Sequence, residues 1–76
     1  MNERIRHILA VVLEMPEDNV HESLSAEQTS NWDSIRQLNL VMALEEAFDV
    51  SFSSEELGSL TSYRAIADAL AQRGVS

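Results

Sequence analysis

The chain has 76 residues, 45% of them hydrophobic, with two glycines, one proline and no cysteine. That is too apolar for a disordered tail, too poor in turn residues for a many-stranded sandwich, and without disulfides, thiolate metal ligands or a cysteine nucleophile. Thirteen acidic residues against five basic ones, all arginine, give a net charge of -8, which repels phosphate backbones and disfavours nucleic-acid binding. The same charge fits either a basic protein partner or plain solubility.

A single domain over residues 1–76 is expected, small enough that one modest core is all it holds. From Asn2, a possible N-cap, the residues Ile5, Ile8, Leu9 and Val12 recur at the spacing of one helical face. Pro16 pushes Met15 out of helical conformation, so this first helix is expected to end near Glu14. The longest apolar run, Ile8 to Leu13, is far shorter than a membrane span, and the opening residues, with Glu3 among them, do not resemble a signal peptide. A soluble cytoplasmic protein with no membrane span is the expectation.

The stretch MPEDNVHESLSAEQTSNW, residues 15–32, is longer than most connections in a compact domain. Val20 and Leu24 are its expected apolar pins, with a helical turn around them. Asp33 then caps a second helix running without glycine or proline from Ser34 to Phe48. Leu40, Val41, Leu44 and Phe48 form its core stripe. Ile35, Leu38 and Met42 lie on a rotated face, which fits either a central helix touching all its neighbours or an exposed patch for another protein. Glu45 and Glu46 stand near the helix end, where carboxylates are disfavoured by a few tenths of a kcal/mol, and no basic residue lies three or four positions away. Such residues are candidates for an external partner.

Val50 and Phe52 read as core anchors on an extended link. Ser53 to Glu56 fit a capping box, opening a short third helix weakened by Gly58. Thr61 or Ser62 caps a fourth helix with the face Tyr63, Ile66, Ala67 and Leu70, and Gly74 is its expected stop. The fold class is therefore all-α: an antiparallel four-helix bundle with a long first loop and a short third helix. His7 and His21 stand in no ligand or triad spacing, so neither a metal site nor a catalytic residue is expected.

Asp33-Ser34-Ile35, an apolar residue at Leu38, and then LVMALEEAFDV closing an unbroken helix resemble the acyl carrier protein family over nearly the whole chain. The resemblance implies that Ser34, behind Asp33, receives 4'-phosphopantetheine from a phosphopantetheinyl transferase, and that cargo rides on the arm as a thioester. It also implies that Ile35, Arg36, Leu38, Met42, Glu45 and Glu46 fall at partner-contact positions. Carriers of primary fatty acid synthesis usually hold acidic residues two and five after the serine, where this chain has Arg36 and Asn39. With Trp32 before the aspartate, the motif is more similar to freestanding carriers of specialised pathways, polyketide-type or aminoacyl and peptidyl. Trp32 itself reads as a loop anchor. The resemblance implies a non-catalytic, monomeric carrier served by acyl-activating or acyl-transferring enzymes. The rival reading is a cofactor-free helical adaptor using the same patch.

Overall fold

The computed structural model describes residues 2–74. Helix α1 spans Glu3–Leu13, and the Asn2 side chain accepts from the backbone N–H groups of Arg4 and Ile5 at 2.9 and 3.2 Å. It ends at Glu14, which adopts the left-handed conformation with φ 54° and returns its N–H to the last turn. The expected end near Glu14 thus stands, with Pro16 two residues beyond forbidding continuation. The buried face differs from the one expected. Ile5, Leu9, Ala10 and Leu13 are buried, whereas Ile8 and Val12 are only partly so. A neighbour on one side of α1 decides between adjacent faces that periodicity alone leaves equal.

The long loop is tied down at both ends and in the middle. Short 3-10 turns at Glu17–Asn19 and Ala26–Gln28 flank Val20 and Leu24, both buried as expected. The backbone then clips to the segment before the last helix: Ala26 N–H donates to Thr61 O at 2.8 Å and Tyr63 N–H to Leu24 O at 3.0 Å. The Arg6 guanidinium donates to Glu17 O, and the Asn31 amide to Leu13 O at the end of α1. These bonds satisfy loop backbone that burial would otherwise leave unpaired.

Helix α2 spans Ser34–Phe48 and buries the expected stripe Leu40, Val41, Leu44 and Phe48 against α1. The guanidinium of Arg4, on α1, sits 4.3 Å from the Phe48 ring centroid and donates to the Ala47 carbonyl. A cation therefore does stand at the negative end of α2, delivered by another helix.

Helix α3 is four residues, Ser54–Leu57, with both halves of the Ser53/Glu56 capping box formed. Helix α4, Tyr63–Gln72, is capped by Ser62, whose hydroxyl accepts from Ala65 N–H at 3.1 Å. It buries Tyr63, Ile66, Ala69 and Leu70, while the expected Ala67 is partly buried. Gly74, at φ 77°, closes it in the left-handed conformation that glycine adopts without a Cβ penalty. Val50 and Phe52 pack against the core from its edge, and Leu60, in the link before α4, is almost wholly buried. The described residues form an all-helical bundle whose centre is Ile5, Leu9, Leu13, Leu40, Leu44, Leu60, Ile66 and Leu70.

Candidate functional site

Ser34 lies exposed at the first position of α2. Asp33 holds the helix start: its backbone is extended, and its Oδ1 accepts from Arg36 N–H at 2.9 Å. First-turn N–H groups lack partners within the helix and carry its positive dipole end, so the Ser34 hydroxyl projects where an anion is favoured. Beside it runs an open, mainly apolar groove of about 610 Å³, bounded by Trp32, Ser34 and Leu38 on one side and by Leu57, Gly58 and Thr61 on the other. Neither histidine lines the groove; both are exposed, with His7 beside the Glu17 carboxylate at 3.3 Å.

The floor of the site is organised by a residue that the sequence reading passed over. Trp32 is buried, the loop anchor expected of it, and its indole N–H donates to Gln37 Oε1 at 2.6 Å. The Gln37 amide in turn donates to Leu57 O at 2.8 Å and to Leu60 O at 3.0 Å. A signal was present. Gln37 stands three, four, seven and eleven residues before Leu40, Val41, Leu44 and Phe48, a polar side chain in register with the core stripe.

Along α2, the side chains expected to meet partners divide into two groups. Ile35, Leu38 and Met42 are 70%, 57% and 65% exposed, a row of large apolar side chains running down from Ser34, and Glu46 is exposed beyond them. This answers the question of the rotated apolar face: it points to solvent. Arg36 and Glu45 are engaged internally. Arg36 pairs with Glu14 at the end of α1 and is only 26% exposed, with its Nε buried and without an acceptor among the described residues. Glu45 accepts the backbone N–H of Phe52 at 2.9 Å. The expectation that Glu45 lacks an internal partner is therefore corrected. The donor is a backbone group seven residues on, across the turn at Asp49, outside any helical charge-pair spacing.

Four of the five arginines, Arg4, Arg6, Arg36 and Arg73, hold carboxylates or carbonyls of the chain itself, so the outward field is negative. Exposed acidic side chains flank the apolar row at both ends: Asp33 beside Ser34, and Glu46 and Asp49 at the far end, about 18 and 22 Å from Ser34 at a rise of about 1.5 Å per residue. Residues 3–70 match the family model described as a phosphopantetheine attachment site.

Proposed function

Because the chain belongs to the phosphopantetheine attachment-site family, whose domain bears the covalently bound arm and acts as a carrier, we propose that Ser34 is the attachment residue of an acyl carrier. The observation that carries this reading is the exposed Ser34 hydroxyl at the start of an Asp33-capped helix, beside an open groove. The residues present fit the group. The helix start favours the negative charge of a phosphodiester, nothing covers the Ser34 side chain, and the groove is roomy and mostly apolar.

When bound, the arm supplies a terminal thiol that holds cargo as a thioester. The chain's own residues do the rest. Asp33 fixes where the helix begins and hence where the Ser34 oxygen points. Ile35, Leu38 and Met42 offer partner enzymes a contiguous apolar contact, in which methionine adapts to differing pockets. Glu46 and Asp49 steer partners that carry basic residues. The partners are a phosphopantetheinyl transferase and acyl-activating or acyl-transferring enzymes. Trp32 before Asp33, together with Arg36 and Asn39 in place of carboxylates, favours a specialised, polyketide-type pathway. A monomer working in the cytoplasm completes the reading. No helix among the described residues is long and apolar enough to cross a membrane.

Incubation with a promiscuous phosphopantetheinyl transferase and coenzyme A tests it in one mass spectrum. The mass of one arm should appear, and peptide mapping should place it on Ser34. No added mass, or mass on any of the other nine serines, would refute the assignment.

A further inference from the structure

We propose that Gln37 is a positioning residue whose side-chain amide latches α3 in place as the far wall of the groove beside Ser34, a role that rests on the carrier reading above. Helix α3 is too short to persist by its own propensity and buries no side chain fully; Leu57 is only half-buried. Two tethers hold it against the body of the protein. At Glu56 the carboxylate pairs with Arg73, which also donates to Ser51 O and lies 4.6 Å from the Phe52 ring centroid. At the carboxyl end, next to Ser34, the tether is Gln37, reaching from α2 to Leu57 O and Leu60 O.

The chemistry of this node demands an amide. The indole of Trp32 only donates and the two carbonyls only accept, so the Gln37 oxygen must face Trp32 and the nitrogen must face α3. Both amide hydrogens and one oxygen lone pair are then used. Glutamate keeps the acceptor and loses both donors, leucine keeps neither, and asparagine is one methylene short. The separation of α2 from α3 beside Ser34 is thus set by the reach of one side chain. Leu57 and Gly58, which form the groove wall, follow the carbonyls that Gln37 holds.

A carrier whose wall is unlatched presents its proper surface only part of the time. The apparent affinity of an enzyme that reads that surface falls by the competent fraction, while turnover of the bound complex is untouched. Gln37→Glu and Gln37→Leu separate the parts of the node. Hydrogen exchange at the Leu57 and Leu60 amides should quicken at least tenfold in both variants, with α1 amides unchanged. Trp32 is the sole tryptophan. Its fluorescence should shift in Gln37→Leu, which removes the acceptor, and hold in Gln37→Glu, which keeps it. With a phosphopantetheinyl transferase and coenzyme A, both variants should show a several-fold higher KM for the carrier at kcat within twofold of wild type. Ile5→Val, a core trim in α1, which makes no contact with α3 among the described residues, is the control for general destabilisation and should leave KM in place. Wild-type exchange rates at Leu57 and Leu60 in Gln37→Glu, or an equal rise in exchange along α1, would overturn the latch. An equal KM rise in Ile5→Val, or unchanged KM in both Gln37 variants, would overturn the positioning role. Failure of the wild type to be modified at all would instead strike the carrier reading, and the exchange measurement would still decide whether the latch exists.

Discussion

Leu38→Ala separates the docking surface from the core, because Leu38 and Leu40 are two residues apart on α2 and differ only in which side they face. Leu38 is 57% exposed and Leu40 is fully buried. Truncating leucine to alanine removes three carbons, about 2.4 kcal/mol of transfer free energy at about 0.8 kcal/mol each when fully buried. With less than half of Leu38 covered, its share is about 1 kcal/mol, and no closed cavity is left because the site opens to water. Alanine recovers a little of this through its better helix propensity. The melting temperature of Leu38→Ala should therefore fall by no more than about 4–8 °C, the shift that 1 kcal/mol produces in a domain of this size. Leu40→Ala should cost about 2–5 kcal/mol and come close to unfolding the domain. Transferase kinetics should run the other way. If Leu38 sits at the buried centre of a docked interface, Leu38→Ala loses about 1–2 kcal/mol of binding, a drop of roughly 5- to 30-fold in kcat/KM measured well below the melting temperature. A stability loss of 2 kcal/mol or more by circular dichroism would return Leu38 to the core. An unchanged kcat/KM would remove it from the docking surface.

Gly58 has φ -79° and ψ -13°, and a Cβ there would meet nothing within 4 Å, so Gly58→Ala should stabilise the protein by about 0.4–1 kcal/mol in a denaturant melt. The adjacent glutamates should behave differently from each other: Glu45→Ala should lose about 1 kcal/mol of stability with its bond to Phe52 N–H, while Glu46→Ala should stay within about 0.5 kcal/mol and slow partner association in a salt-dependent way. The Arg73 guanidinium, followed by the backbone N–H of Ser53, holds the Glu56 carboxyl below its ordinary value of 4.5. A lowered folded-state value means stability that is present above the unfolded value and lost as pH falls through the folded one. The melting-temperature advantage of wild type over Glu56→Gln should therefore be full near neutral pH and close as the solution is taken below 4.5; a gap that widened in acid would refute the ion-pair account.

Local chemistry was legible without a structure wherever a residue acts on its own neighbourhood. Asp33 and Ser53 cap because a short side chain meets backbone two or three residues on, α1 stops because Pro16 forbids its continuation, and Leu40, Val41, Leu44 and Phe48 share a face by helical geometry alone. The helix start that exposes the Ser34 hydroxyl was legible for the same reason, being built from adjacent residues, whereas Ser34 as an attachment residue is implied only by the resemblance of the whole motif to acyl carrier proteins. What the tertiary structure decided is everything that depends on which element stands opposite. Periodicity proposed Ile8 and Val12 as core and left Leu38 undecided, because an apolar face does not say whether another helix covers it. Arg4 at the end of α2, Phe52 N–H on Glu45, Glu14 on Arg36 and the Gln37 node are all pairings between residues distant in sequence or carried on different elements. No spacing rule encodes them, because the distance between two such groups is set by how the helices pack and by the reach of the side chains that meet there.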